Sequence, residues 1–286
     1  LVIADSVSQY GDRITTLELT FPRFLLPEFN THRAFSRNSA SSRARSVSKT
    51  IQEVRDDPFV PVHWPSERRG MAGGAEITDL RIVDKLRGSW WLASGTAVER
   101  ATKLAAAGVH KSIVNRLLEP FMWHTVVVTA TDWDGFFAQR LALLEDGTPA
   151  AELHFYDLAR EMRRALGRST PAQLDNEQWH LPYVTSTDHD AWASGALSYG
   201  DLLKVSVARC AGVSYLNQGA DRPLERDISL YERLRTANPP HWSPFEHVAR
   251  PVSVQEDLIS PRRYNLAGWA SLRWFLESGA ELGSVR

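Results

Sequence analysis

Apolar positions along the chain fall into strand-like and helix-like rhythms, and the change from one to the other predicts most of the elements. Residues 13–21 alternate early and carry threonine and phenylalanine, which predicts a strand that Pro22 ends. Residues 121–131, FMWHTVVVTAT, set three consecutive valines between aromatics and threonines, as a buried strand does. Helical spacing governs 23–36, with Phe24, Leu25, Phe29 and His32 on one side, before the chain opens into a loop rich in serine and arginine. It governs 77–107 as two helices broken near Gly95, and 110–118 as a short helix stopped by Pro120. It returns in 132–145 behind Asp132 as N-cap, then, after a turn at DGTP, in 149–166, in 202–216, in 224–235 and in a closing helix over YNLAGWASLRWFLES. Residues 56–74 are rich in proline and glycine and read as irregular surface chain, 167–200 carry no assignable pattern, and 237–254 read as a turn running into a helix or strand. No internal repeat is visible and no linker splits the chain.

Composition narrows the classes. A length of 286 residues allows one large domain or two small ones, and 43% hydrophobic with 23% charged residues suits a soluble globular protein. A net charge of -1 makes any basic stretch a local feature, where a general nucleic-acid binder is basic over a whole face. Cys210, the single cysteine, excludes an intramolecular disulfide and a cysteine-cluster metal site and suits a reducing compartment, so the expectation is a cytoplasmic protein. No apolar run approaches a membrane span and no signal-peptide pattern opens the sequence, so no membrane partner is expected. Ten tryptophans serve first as core filler.

Candidate chemistry concentrates between positions 28 and 49, EFNTHRAFSRNSASSRARSVSK. Arg33, Arg37, Arg43 and Arg45 interleave there with Ser36, Ser39, Ser41, Ser42, Ser46 and Ser48, behind His32 and Asn38. Guanidinium forks and short hydroxyls hold phosphate oxygens. A solvated loop is the bland alternative, and the apolar run before it argues for a segment packed on a core. Glycine-rich phosphate loops are absent. His241 and His247 stand apart without a third donor, so no metal is expected and His247 reads as buried support. Cys210, in an apolar helix, reads as core. Arg116, Arg140 and Arg209 each lie in apolar helical runs, where a guanidinium requires an anion or hydrogen-bond partner. Any one of them fits a structural ion pair; the three together with the Ser/Arg loop suggest a buried anionic ligand.

Thr31-His32-Arg33, then seven residues, then Ser41 resembles the Arg-His-Arg, seven residues, Ser signature of the flavin-dependent thymidylate synthases, the ThyX family. VARCAGVSY (207–215) resembles that family's ARVSY segment and HWSPFEH (241–247) its HxTPFEH segment. RLLEP (116–120) resembles its nucleotide-holding segment, DGFFAQR (134–140) its NFLxLR, and AELHFYDLA (151–159) its AQxEIxxYA. The ARVSY-like and TPFEH-like segments follow the Arg-His-Arg one, which is similar to the permuted phage and actinobacterial branch. Blocks 51–108 and 163–203 lie outside the resemblance. Thr31 stands where the first arginine is expected, Ser39 where a glutamate is, Gly135 where an asparagine is and Ala150 where a histidine is, so the flavin anchors differ.

The resemblance implies an α+β fold, a central sheet flanked by helices with motifs in permuted order, as one catalytic domain over 1–286. It implies FAD, methylenetetrahydrofolate and NADPH, a uridine nucleotide as substrate, and a homotetramer with shared sites. His32, Arg33, Asn38, Ser214 and Ser243 fall at flavin contacts; Glu28, Ser39, Ser41, Ser42, Arg43, Arg116 and Arg140 at nucleotide contacts. Arg140 is the catalytic group, polarising the uracil, and His241 lies near the reacting rings. The uracil C5 becomes nucleophilic when charge builds on the ring carbonyls, which a guanidinium stabilises without a thiol adduct. The implied reaction is C5-methylation of UMP or dUMP; an enzyme of nucleoside-antibiotic pathways similar to these acts on UMP, and the divergent flavin anchors lean that way. The competing readings are a phosphate- or nucleic-acid-binding module built on the Ser/Arg loop, and a flavoprotein of this fold that does not methylate.

Overall fold

The computed structural model of the chain describes residues 1–215, 223–253 and 265–279. β1 (Val2–Ser8) and β2 (Arg13–Pro22) form a hairpin whose turn needs Gly11, with φ +95°, a region that side chains avoid. A short helix, α1 (Leu26–Phe29), leads to β3 (Ser36–Ser39). β4 (Trp123–Ala130) pairs antiparallel with β2 on one side and with β3 on the other. β5 (Ala172–Leu174) runs parallel to β1, so the sheet order is β3-β4-β2-β1-β5.

Sheet and helices form an α+β protein with the sheet at its centre. Val126, Val127 and Val128 are all buried, so β4 is covered on both faces, which is why its sequence reads as an unbroken apolar run. One face carries α5 (Asp134–Arg140) and α6 (Leu153–Arg168), whose Phe136, Phe155, Ala159 and Met162 close over Leu17, Leu19 and Phe21. A second cluster joins α2 (Val47–Asp56), α3 (Leu80–Ala106) and α4 (Lys111–Val114) through Ile51, Val54, Val98, Ala101 and Val114. A third unites α8 (Tyr199–Gly212), α9 (Leu224–Thr236), the two-stranded ribbon of β6 (Ala249–Pro251) and β7 (Trp269–Ser271), and α10 (Leu272–Ser278). Between α6 and α8, α7 (Ser186–Ala193) is fixed by a capping box of Thr185 and Asp188.

Several elements depart from the sequence pattern. α3 is one helix: Gly95 is exposed with open space at its Cβ position, and a lone exposed glycine costs a helix only about 1 kcal/mol. α5 ends at Arg140, short of 145, because Leu143 bridges to Pro149 as the chain turns back; its N-cap is Trp133, with Asp132 accepting from the Asp134 N–H at 3.0 Å. The expected closing helix over 264–278 is turn over 265–268 and strand β7 over Trp269–Ser271, and becomes helical only at Leu272; Tyr264 alone lies outside the described residues. Among the described residues no helix is long and apolar enough to cross a membrane.

Candidate functional site

β3 is the pivot of the site. Its sequence, SRNS, has no strand propensity; pairing to β4 imposes the extended backbone, and the two-residue period then buries Ser36 and Asn38. Asn38 faces the end of α8, where it donates from Nδ2 to the Cys210 carbonyl at 2.8 Å. A helix leaves its last carbonyls unpaired, and this amide satisfies one of them. The same amide lies 3.4 Å from Ser214 Oγ, and its oxygen accepts from Ser243 Oγ at 3.1 Å. Ser214 in turn donates to the Ser39 carbonyl at 3.2 Å. Three segments separated by as much as 205 positions thus meet in one neutral, hydrogen-bonded junction.

Arg140 organises a second group. Its Nε donates to His32 Nε2 at 2.9 Å, and its guanidinium lies over the Phe155 ring at 4.3 Å. Those two contacts hold the side chain. The outer nitrogens are loosely engaged: one is 3.4 Å from Glu28 Oε2, the other 3.4 Å from Thr31 Oγ1, lengths at which hydrogen bonds are weak. His32 must accept at Nε2, so it is neutral. Burial first, then the charges of Arg140 and Arg37, pushes its pKa down to about 4. Arg37 is half-buried and braces the turn by donating to the carbonyls of Phe29 and His32 at 3.1 and 3.2 Å.

The Ser/Arg loop that follows is pinned from beneath. Arg23 donates to the Ala40 carbonyl at 3.3 Å, and the fully buried Asn115 donates from Nδ2 to the carbonyls of Ser42 and Arg45 at 2.9 and 3.2 Å. Ser42 is turned inward, its hydroxyl on Glu119, which also pairs with Arg23 at 3.1 Å. With these carbonyls drawn inward, the N–H groups of Ser41, Ser42 and Arg43 find no acceptor among the described residues. Consecutive free N–H groups form the concavities that take anions. Ser41 and Arg43 are exposed beside them, whereas Arg45 is occupied by Glu53. Arg23, Asn115 and Glu119 were not picked out as site residues by sequence; the only trace is a polar residue inside two apolar runs, TFPRFLL and IVNRLL.

The remaining predicted residues stand outside these groups. Arg33 is exposed, with no hydrogen bond or ion pair among the described residues. Arg116 is exposed and bends back to the Ser112 carbonyl at 3.1 Å. His241 is exposed and is tied by its backbone N–H to Leu234, two positions before Ser243. Arg209 corrects the grouping of three arginines around one anion. It is 1% exposed and saturated by Asp188 at 2.5 and 2.9 Å, Asp227 at 3.2 Å and the Tyr183 carbonyl at 2.7 Å. Cys210 is fully buried and its thiol is pushed up by desolvation, which makes it core and a poor nucleophile. His247 is buried with Nδ1 on Thr129, the end of a chain that runs through Thr16 to His180 and Ser6. Among the described residues no group of three or more His, Cys, Asp or Glu is placed to hold a metal ion.

No family model matches the sequence, and no curated protein matches it. Among solved structures, the chain is similar to the UMP/dUMP methylase PolB from Streptomyces cacaoi bound with 5-Br dUMP, at 15% identity and a TM-score of 0.40, over 64% of this chain and 71% of that one. The same enzyme bound with 5-Br UMP gives 14% identity and a TM-score of 0.43, over 64% and 74%. Likeness at this level assigns no chemistry.

Proposed function

We propose that the protein is a flavin-dependent enzyme that methylates C5 of a uridine monophosphate, UMP or dUMP, as a member of the permuted branch of the ThyX family. The observation that supports this reading most is the junction of Asn38, Ser214 and Ser243, because the three motif segments that carry the resemblance meet there through direct hydrogen bonds. Its donor set suits a flavin: neutral amide and hydroxyl groups match the edge of an uncharged heterocycle, and Arg33 is an exposed cation for a diphosphate. FAD would supply the electron-transfer chemistry, with methylenetetrahydrofolate giving the one-carbon unit and NADPH the reducing equivalents.

The chain's own residues have separate tasks on this reading. The pinned loop holds the nucleotide 5′-phosphate through Arg43, Ser41 and the free N–H groups, fixing the base in place. Ser42 contributes its backbone, its hydroxyl being held by Glu119. Arg140 gives up its weak contacts to Glu28 and Thr31 and meets the uracil carbonyls, while His32 and Phe155 keep it oriented. Neutral His32 accepts from Nε without competing for negative charge, so the guanidinium's full charge faces the ring. Assembly as a homotetramer with shared sites completes the proposal.

Purified protein mixed with FAD provides the test. A bound flavin absorption band and tetrameric elution on sizing are expected. A colourless monomer that binds polynucleotide with steep salt dependence would replace this reading with the nucleic-acid-binding one.

A further inference from the structure

A cavity of about 560 Å3 lies at the opposite end of α8 from the Asn38 junction. The fourteen residues of α8 place the two roughly 20 Å apart. It falls within the size range of small-molecule sites. Its walls come from β1, from residues 172–184 and from α7, most of which lie in a block that the motif resemblance does not reach.

Two properties of the lining select its ligand. The first is charge: Asp5, Asp175 and Glu177 line it, and no lysine or arginine does. Asp5 is neutralised by Arg13 at 2.6 Å and drops out of the count. Asp175 accepts from the backbone of Glu177 and Gln178 through one oxygen, and Glu177 is exposed with no partner among the described residues. The second is aromatic surface. Trp192 and Tyr199 lie 5.4 Å apart, and the Tyr199 hydroxyl accepts from the Trp179 backbone N–H at 2.9 Å, which fixes the Tyr199 ring. Tyr199 is shifted upward by burial and also by the charge of Asp175, so a carboxylate stands close to the aromatic wall. A nucleotide or a folate tail is repelled by such a lining; an alkylammonium group gains from both the ring faces and the carboxylates.

We propose that this cavity is a binding site for a small organic cation, held against the aromatic wall that Trp192 and Tyr199 form together, with Asp175 and Glu177 as counter-charges. It goes beyond the methylation reading and does not depend on it.

Calorimetric titration of the full chain with choline tests the proposal, with dimethylbutanol, its neutral carbon isostere, as the control. Saturable choline binding is expected, at least about tenfold tighter than that of the isostere, since the charge carries the selectivity. Trp192→Ala and Glu177→Gln change exposed positions, and each is expected to weaken binding by about fivefold or more with the thermal midpoint kept. Added UMP is expected to leave choline binding unchanged. Absence of saturation, equal affinity for the isostere, unchanged affinity in both variants, or displacement by UMP would each overturn the assignment.

Discussion

Arg140 and Arg209 look alike in the sequence, each a lone guanidinium in an apolar helical run, and the fold uses them in opposite ways. Arg209 is enclosed and fully committed: two carboxylates and a carbonyl surround it, and it ties α8 to α7 and α9. Arg140 is held firmly by one nitrogen and one ring face, while its outer nitrogens touch Glu28 and Thr31 only at 3.4 Å. Burial of a cation is therefore no sign of a ligand site by itself. The sign is a cation whose orientation is fixed and whose strongest donors remain under-used.

The largest effect expected from breaking this contrast is at Arg209. Arg209→Met leaves Asp188 buried without its counter-charge and removes the Arg209 bond to Asp227, and should cost about 3–5 kcal/mol of stability, read by urea unfolding. A loss within error of zero would mean the ion pairs do not hold α7 to α8. Arg140→Lys keeps the charge but loses the planar fork. Stability should hardly move, while kcat for nucleotide methylation falls by roughly a hundredfold, about 2.7 kcal/mol. Flavin reduction by NADPH should change much less, because it does not require the uracil. Normal turnover in this variant would end the assignment of Arg140 as the polarising group.

Two buried histidines whose hydrogen-bond partners are hydroxyls, with no carboxylate among them, extend the contrast to pH. His180 and His247 are fully buried, and burial pushes both from 6.5 down to about 3. The folded state keeps them neutral while the unfolded chain takes up protons below its ordinary pKa. Their contribution to stability is therefore complete above about pH 6.5 and is lost as pH falls from there toward 3. Each should remove up to about 1.4 kcal/mol per pH unit in that window, measured by urea unfolding between pH 7 and 4.5. A flat profile would contradict their burial in neutral form. Arg43→Ala should be milder, raising the nucleotide KM by roughly tenfold with kcat nearly kept, since its proposed partner is the unreactive phosphate. Smallest of all is Cys210→Ala: activity should persist, because the proposed mechanism uses no thiol. Complete loss with fold and flavin intact would point to covalent cysteine catalysis.

How far the sequence reached varies with the kind of signal. β2 and β4 were readable because alternation and the valine run express burial directly. The strand Ser36–Ser39 was not, since its extended form comes from pairing with β4 and its own residues favour turns. Asn38, Ser214 and Ser243 came from matched segments, and only the fold shows that they bond to one another. The support under the Ser/Arg loop escaped, because Arg23 and Asn115 act on backbone carbonyls that have no signature in the residues they belong to. One partner of Arg209, Asp188, lay in the unassigned block 167–200, where a capping box and this ion pair hold the helix without an apolar period.

The central claim is that the Asn38 junction and Arg140 together serve C5-methylation of a uridylate. Its most direct test is incubation of the protein with FAD, NADPH, methylenetetrahydrofolate and either UMP or dUMP, with the nucleotide products separated and weighed by mass spectrometry. The account predicts a product 14 mass units heavier from at least one of the two, on the scale of one added methylene, and its loss when FAD is left out. Bound flavin without any methylated product from either nucleotide would contradict it and leave a flavoprotein of another activity.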